Sequence, residues 1–202
     1  MIPRLITSLK APAPSLSLVV EENFTDDLTV SLRCGELNAA IMSLPFQSQG
    51  LISRPLYDEP FKVALPGDHP LAKKKRIDAA ELADQTLLLL AARNCFRDQV
   101  MEACPGCITT GESGKTELTK TLEGSSLNTI SQMGAGVTIL PSTMRINEDL
   151  GAHLAIRPFT LPVPSRTVAI FYRRGFARPA LINCLAQAIR AADLAEVKYL
   201  NI

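Results

Sequence analysis

Two cysteines, Cys95 and Cys104, lie nine residues apart in a segment with the pattern of a helix. The leucine run Leu87-Leu88-Leu89-Leu90 ahead of it is typical of a strand buried on both faces in a parallel sheet. Asn94 is a suitable cap for a helix that begins at Cys95. Pro105-Gly106 then ends the helix directly after Cys104. The sequence therefore predicts one cysteine at each end of a short helix.

The start of a helix changes the chemistry of a cysteine. Unpaired N–H groups and the partial positive charge of the helix dipole favour the thiolate of Cys95 over the thiol, and Arg97 in the first turn adds a full positive charge. The thiolate is the form that attacks a peroxide, and oxidation gives a sulfenic acid that can condense with a second thiol. We therefore expect Cys95 to be the redox-reactive cysteine of this segment.

Helix geometry restricts the pairing of these two thiols. Nine residues at about 1.5 Å each separate Cys95 and Cys104 by roughly 13 Å of rise. At about 100° per residue, the two side chains face opposite sides of the helix. A disulfide needs Cα atoms roughly 5.5–6 Å apart. Either the pair never bonds, or bonding unwinds the segment, and the sequence leaves both possibilities open.

Other interpretations of the cysteines compete with a redox switch. Free cysteines are often small buried hydrophobes, and Cys34 and Cys184 lie on helix faces where we expect core positions. Cys104-Pro105-Gly106-Cys107 is a C-x-x-C motif, which occurs in thioredoxin-like redox sites and in zinc sites. It follows the end of a helix, and His69 and His153 have no metal-motif spacing. We therefore expect no metal and no cofactor, although Cys107 can compete with Cys104 for oxidised Cys95.

A second candidate site lies at another predicted helix start. Ser125 and Ser126 precede a helix that ends near Gly134, and their hydroxyls and backbone N–H groups suit a small polar or anionic ligand. Plain capping of the helix explains the same residues equally well.

Composition limits the class of protein. The chain has 202 residues, 47% hydrophobic and 20% charged, with a net charge of +1. This length suits two compact lobes, and no apolar run is long enough to span a bilayer. The only basic cluster, Lys73-Lys74-Lys75-Arg76, is typical of a solvated turn rather than of a nucleic-acid-binding face. Five cysteines at irregular spacing do not indicate a structural disulfide framework. With no secretory signal at the start of the sequence, we expect an intracellular protein.

Helix and strand patterns alternate along the chain, which predicts an α/β fold with parallel strands. The chain opens on a helix, although such a unit normally opens on a strand, so we expect a leading strand to be missing. The predicted elements outside the cysteine segment are helices at Pro3–Lys10, Thr25–Gly35 with Thr25 as its cap, Ala79–Ala83 after Asp78 and Ala180–Ala192, and strands at Leu16–Val20, Ala39–Ser43, Leu56–Leu65 interrupted by Pro60, Val137–Leu140 and Arg166–Tyr172.

The segment from Asn94 to Cys104 closely resembles the redox segment of OxyR-type regulators, which belong to the LysR-type family. Further stretches resemble landmarks of the wider family, namely Leu32–Ile41, Leu56–Pro60, Asp68–Leu71, Glu123–Leu127 and Gly136–Pro141. Two positions depart from some relatives: Asn94 replaces a histidine, and Ser131 stands where an arginine faces the pocket.

The resemblance implies two Rossmann-like subdomains joined by two crossover strands, like a periplasmic binding protein of type 2. Subdomain I would comprise residues 1–58 and 174–202 and would lack its first strand. Subdomain II would comprise residues 59–173 and carry the redox cysteines.

The resemblance also implies a function: the redox-sensing regulatory domain of a bacterial DNA-binding transcription regulator. Cys95 would be the peroxide-reactive thiol and Cys104 the resolving one, and their disulfide would remodel a homodimer or homotetramer. Such a domain is not an enzyme, is cytoplasmic, and reaches DNA and RNA polymerase only through the full-length protein. The residues expected to bind hydrogen peroxide or another small ligand are Asn94, Arg97, Asp98, Ser125, Ser126 and Thr129.

Two alternatives remain at this point. A LysR-type domain can bind a small metabolite in the cleft between its subdomains, with Ser125, Ser126 and Thr129 lining the cleft and the cysteines structural. A thiol oxidoreductase using Cys104 and Cys107 belongs to a different class. Oxidation of Cys95 by stoichiometric peroxide separates the first alternative from the sensor, and sustained turnover with a reductant marks the second.

Overall fold

The computed structural model describes most of the chain. The described residues are 2–10, 13–14, 16–46, 49–90, 95–105, 119–122, 136–144 and 154–200. They divide into two compact units: unit 1 is Met1–Glu59 with Arg166–Ile202, and unit 2 is Pro60–Ser165.

Helices and strands alternate through much of the chain, which confirms an α/β fold with parallel strands. The helices are α1 (Ile2–Leu9), α2 (Thr25–Cys34), α3 (Cys95–Ala103) and α4 (Pro179–Ala191), with 3-10 turns at Pro70–Lys73 and Ala79–Leu82. The strands are β1 (Ala40–Leu44), β2 (Leu51–Pro66), β3 (Leu87–Leu90), β4 (Thr119–Leu122), β5 (Val137–Pro141), β6 (Leu154–Pro158), β7 (Ser165–Arg173) and β8 (Lys198–Tyr199).

Unit 1 is a sheet with helices on both faces. Strand β1 pairs antiparallel with β7, with Ala40 opposite Phe171, and the first part of β2 pairs with β8. Side chains of β7 alternate as the sequence predicts. Val168, Ile170 and Tyr172 join the core formed with α1 and α4, whereas Ala169 and Phe171 join the core beneath α2.

Unit 2 carries the predicted parallel strands. Strand β3 is parallel to both β4 and β5, and all four of its leucines are buried. The second part of β2 runs antiparallel to β5 and β6. Asp78 caps the 3-10 turn at Ala79–Leu82 through a capping box with Glu81, so the predicted cap is confirmed.

An ion pair secures unit 1 at the point where the chain leaves it. The Glu59 carboxylate is fully buried and accepts a hydrogen bond of 2.7 Å from Nε of Arg166. Next to this pair, the Thr167 hydroxyl donates a hydrogen bond of 2.6 Å to the Asp58 carboxylate. Burial, followed by the neighbouring Glu59 charge, raises the pKa of Tyr57.

The second boundary between the two units lies at the start of β7, whereas the sequence analysis places it after Arg173. The difference arises because β7 pairs with β1 and thus belongs to unit 1.

Three local predictions are wrong. Leu16–Val20 is not a strand, because none of the described strands forms a hydrogen-bonded ladder with it. Pro60 does not interrupt β2, since the strand changes partners there and needs no N–H at that residue. Thr25 is the first helical residue and Phe24 is the N-cap, with no capping side chain.

The expectation for two cysteines has mixed outcomes. Cys34 is exposed, so its predicted core position is wrong. Cys34 is the last residue of α2 and precedes Gly35, whose left-handed backbone ends the helix. Leu32, two residues earlier, is the residue that packs in the core. Cys184 is half-buried and packs against the core of unit 1, as expected.

In the described part of the chain, no helix is long and apolar enough to cross a membrane.

The core of unit 2 allows a direct stability test. Leu82 is fully buried in that core, whereas Leu161 of the same unit is 85% exposed. We expect Leu82→Ala to lower the free energy of unfolding by about 2–5 kcal/mol because it leaves a cavity. Leu161→Ala should change it by less than about 0.5 kcal/mol. Urea denaturation of both variants measures the difference, and equal costs would contradict the described packing.

Candidate functional site

Helix α3 begins where the sequence predicts, directly at Cys95. It follows β3, whose carboxyl end lies at the same edge as those of the parallel strands β4 and β5. Ligands of open α/β sheets bind at this edge. Cys95 is exposed, and as the first helical residue it lies among N–H groups that have no partner within the helix. Cys95 thus lies at the positive end of the helix dipole.

One face of α3 anchors the helix to unit 2. Phe96, Val100, Ala103 and Cys104 pack against the core of this unit, at spacings that put them on one side of a helix. The Phe96 ring meets Phe61 of β2 edge to face, with centroids 5.5 Å apart and planes at 79°. Phe61 is itself fully buried. The first turn of α3, which carries Cys95, is therefore fixed by an aromatic contact to a central strand.

Cys104 is in the opposite environment to Cys95. It is 1% exposed, and its backbone N–H donates to the Val100 carbonyl at 2.9 Å, which continues the helical pattern just past Ala103. Cys104 therefore lies at the negative end of α3, with its side chain in the core. Neither Cys95 nor Cys104 is part of a disulfide. The structure thus shows the helical, unbonded arrangement of the pair, one thiol exposed at the start and one buried at the end.

Two charged residues share the first turn with Cys95. Arg97 is half-buried and Asp98 is exposed, so the first turn of α3 carries one cation and one anion as well as the exposed thiol. Both lie where the sequence predicts.

The remaining predicted site residues lie outside the described residues. They are Asn94, Cys107, Ser125, Ser126, Thr129 and Ser131. The helix expected after Ser126 lies outside them as well. Among the residues that are described, no group of three or more histidine, cysteine or acidic side chains is arranged to hold a metal ion.

Sequence reasoning missed the aromatic anchor of the site. The spacing of Phe96 and Val100 indicated a buried helix face, but nothing in the sequence joined that face to Phe61. The two phenylalanines are far apart in the chain and meet only because β2 crosses beneath α3.

The contrast in burial predicts unequal thiol reactivity. In the reduced, folded protein we expect iodoacetamide to modify Cys104 at least about tenfold more slowly than Cys95, because Cys104 reacts only after local opening. Peptide mapping by mass spectrometry follows each cysteine separately. In 6 M guanidinium chloride the two rates should converge, which controls for intrinsic reactivity. Equal rates in the folded protein would contradict the buried position of Cys104.

Comparison with known proteins identifies the family to which this fold belongs. The family model of the LysR substrate binding domain matches residues 1–193. A "probable hydrogen peroxide-inducible genes activator" from Mycobacterium leprae is 36% identical over 193 residues, which are 94% of this chain and 60% of that protein. The chain thus spans about three fifths of the length of this curated relative.

Two solved structures share the architecture. A reduced form of OxyR from N. meningitidis is 38% identical with a TM-score of 0.88, over 99% of this chain and 93% of that one. An oxidized form of OxyR is 32% identical with a TM-score of 0.77, over 95% of this chain and 89% of that one. These matches confirm the fold expected from the sequence, that of a type 2 periplasmic binding protein. The chain therefore belongs to the LysR substrate-binding domain family, and within it to the OxyR-like regulatory domains.

Proposed function

We propose that this chain is the hydrogen-peroxide-sensing part of a bacterial transcription regulator. One observation carries the proposal: an exposed thiol begins α3, and a buried thiol follows the last residue of the same helix. The relative from Mycobacterium leprae is named for activating genes in response to hydrogen peroxide, and OxyR structures exist in reduced and oxidized forms. Sequence, geometry and relatives therefore support the same chemistry.

The first step occurs at Cys95. Its thiolate attacks one oxygen of hydrogen peroxide, the O–O bond breaks, and the departing hydroxide takes a proton to become water. The product is a sulfenic acid on an exposed helix start. Arg97 and Asp98 lie in the same turn, and we assign them, with Asn94, to the peroxide pocket. Ser125, Ser126 and Thr129 are proposed as further ligand-binding residues.

The second step requires Cys104 to leave the core. Its thiolate attacks the sulfur of the Cys95 sulfenic acid, an S–S bond forms, and the hydroxyl group leaves as water. Two thiols and one hydrogen peroxide thus give one disulfide and two waters. Because α3 holds the sulfurs on opposite sides and at opposite ends, the bond forms only after the helix unwinds.

Unwinding of α3 links disulfide formation to a change in the packing of unit 2. Val100 and Cys104 are both fully buried in the core of unit 2, so loss of α3 exposes or moves apolar surface. The oxidised unit must repack that surface, either internally or against another protomer. We propose that this repacking alters a homodimer or homotetramer, and that DNA and RNA polymerase are engaged by the full-length protein.

The domain acts once per signal. Cellular thiols reduce the disulfide and α3 re-forms, so the cycle has no substrate turnover and the domain is not an enzyme. A cytoplasmic setting follows from this proposal, since both gene activation and reduction by the thiol pool take place there. The two units described above are proposed as the two regulatory subdomains, with the redox cysteines in unit 2.

Stoichiometric peroxide tests the switch. We expect the reduced protein to lose two hydrogens by intact mass within minutes of treatment with one to two equivalents of hydrogen peroxide. The disulfide should map to Cys95 and Cys104, and far-ultraviolet circular dichroism should show a loss of helix because α3 unwinds. Cys34→Ser is the matched control, since it removes another exposed cysteine and should change neither result.

Two variants separate the steps. Cys95→Ser should abolish the reaction, whereas Cys104→Ser should stop it at a sulfenic acid that dimedone traps on Cys95. A disulfide between Cys95 and Cys107 would overturn the assignment of the resolving cysteine. If Cys95 stays reduced, the chain is not a peroxide sensor, and a metabolite-binding domain becomes the better explanation.

A further inference from the structure

Unit 2 carries a basic turn that the cysteine chemistry does not use. The turn consists of four consecutive positive residues, all of them exposed, at the end of the 3-10 turn that begins at Pro70: Lys73, Lys74, Lys75 and Arg76. Exposed lysines are common on protein surfaces, so the surroundings of the basic turn decide whether it can recognise a partner.

The backbone of the basic turn is held in place on both sides. Ala72 and Ile77, which flank the four cations, are buried in the core of unit 2. Nε of Arg157 donates hydrogen bonds of 3.1 Å to the Ala72 carbonyl and 2.8 Å to the Lys74 carbonyl. The Ile77 N–H donates to the Pro158 carbonyl at 3.0 Å. The cations therefore project from a fixed segment, which lowers the cost of ordering the chain when a partner binds.

Two carboxylates beside the basic turn are engaged within unit 2. Asp78 caps the following 3-10 turn and also accepts a hydrogen bond of 3.1 Å from the Thr160 hydroxyl. Glu81 forms an ion pair with Lys74 and accepts a hydrogen bond of 3.0 Å from the Asp78 N–H. The hydrogen bond from Lys74, followed by that from Asp78, lowers the pKa of the Glu81 carboxyl. These two anions therefore serve the local structure, and only Lys74 is neutralised by them.

The other three cations lack an acidic partner in the described part of the chain. No described carboxylate forms an ion pair with Lys73, Lys75 or Arg76. Arg76 donates through Nη1 to the Phe159 carbonyl at 3.0 Å, and a carbonyl does not neutralise the guanidinium charge. An acidic partner thus meets three uncompensated positive charges.

An exposed leucine lies next to the basic turn. Leu161 is 85% exposed, more than any other large apolar residue that the structure describes. The Thr160 N–H, directly before it, donates to the Ile77 carbonyl at 2.9 Å. Two residues of chain span at most about 7 Å. Leu161 therefore lies near the Phe159 carbonyl to which Arg76 is bonded.

The loop that carries Leu161 is anchored as well. Val163 packs against the core of unit 2, and the Pro164 carbonyl accepts a hydrogen bond of 2.8 Å from the Phe61 N–H. A single exposed leucine needs no special explanation by itself. Beside three uncompensated cations, however, a leucine on an anchored loop supplies an apolar contact next to an ionic one.

This combination favours a protein over two other anionic partners. The phosphate backbone of a nucleic acid offers no apolar group to a leucine, and modules that bind nucleic acids usually show a broad basic face, whereas this chain has a net charge of +1. Stable attachment to an anionic membrane needs more apolar surface than one leucine supplies. An acidic peptide with an apolar side chain matches both features.

We propose that Lys73, Lys75, Arg76 and Leu161 form a docking surface for an acidic segment of another protein. The segment carries about two or three aspartates or glutamates and, close to them, an apolar side chain that packs on Leu161. Exposed ion pairs contribute little affinity each, so we expect a transient complex that forms quickly. The surface does not include the cysteines, and the proposal does not rest on the peroxide chemistry.

Two synthetic peptides test the surface in both chain directions. They are acetyl-Glu-Asp-Glu-Ser-Phe-Leu-amide and acetyl-Leu-Phe-Ser-Glu-Asp-Glu-amide, titrated into the reduced, ¹⁵N-labelled full chain. At least one should bind and shift the amide resonances of residues 73–77 and 159–161. Its affinity should fall about fivefold or more between about 50 and 500 mM sodium chloride, because salt screens exposed charges. The matching peptide with glutamine and asparagine in place of the acids should not bind.

Charge reversal on the protein tests the ionic part. Lys73→Glu with Lys75→Glu should weaken binding about tenfold, because two attractions become repulsions. Lys10→Glu with Lys198→Glu makes the same change in net charge at exposed lysines of unit 1 and should leave the affinity unchanged. Equal binding by both double variants would overturn the assignment of the basic turn.

Truncation of the leucine tests the apolar part. Leu161→Ser should weaken binding about three- to tenfold, because the apolar side chain of the peptide loses its contact. Val30→Ser removes an exposed apolar side chain of unit 1 and should have no effect. If Leu161→Ser bound as tightly as the parent, the surface would be purely ionic and the proposed partner would be wrong.

Three further outcomes would overturn the proposal. A short DNA duplex, or vesicles containing phosphatidylserine, that shifted the same resonances at lower concentration than either peptide would make phosphate groups the ligand. Self-association that shifted them without peptide would make a second copy the occupant. If neither peptide shifted them, the surface would not bind acidic segments.

Discussion

A single short helix keeps Cys95 and Cys104 apart, and the redox chemistry proposed for unit 2 depends on that separation. Nine residues of α3 put Cys95 in solvent and carry the chain to Cys104 in the core. Isolated helices of this length are marginal in water, below the roughly 12–15 residues that give independent stability. Helix α3 therefore persists because Phe96, Val100 and Cys104 pack against the strands beneath it. A disulfide between Cys95 and Cys104 would have to break the packing that keeps the two thiols apart.

The packing of α3 is strong enough to keep the helix folded on unit 2 and weak enough for the helix to unwind while the rest of the unit stays folded. Burying a valine or phenylalanine side chain stabilises a fold by about 1.5–3 kcal/mol, so the inner face of α3 is held by a few such contributions. The outer face, with Met101 and Glu102 exposed, adds little. An element held by a few contacts opens locally at a lower free energy than the whole unit. The strands below it, with the four buried leucines of β3, can then stay folded while α3 unwinds.

The sequence predicts the local features of this site better than its tertiary contacts. The start of α3 at Cys95, the buried β3 and the alternating faces of β7 follow from local pattern, and all are confirmed. The exposure of Cys34 and the continuity of β2 through Pro60 were not predictable in this way, because both depend on which strands and helices lie nearby. The contact between Phe61 and Phe96 is of the same kind. Local spacing identifies the thiols and their helix, whereas the burial that makes them unequal is a tertiary property.

In the proposed switch, this difference in burial also affects how easily the disulfide between Cys95 and Cys104 is reduced. Any free energy of α3 docking that oxidation destroys is regained when the disulfide is reduced, so it raises the reduction potential of the pair. For a two-electron couple, about 1.4 kcal/mol of lost docking corresponds to roughly 30 mV. The loss of one or two buried contacts such as that of Val100 therefore shifts the pair by several tens of millivolts toward easier reduction. A better-packed α3 would make a sensor that resets more readily but is harder to oxidise. A looser α3 would expose Cys104 before any peroxide arrived. In the proposed switch, the packing of α3 against Phe61 and its neighbours would thus set both the threshold for oxidation and the ease of reduction.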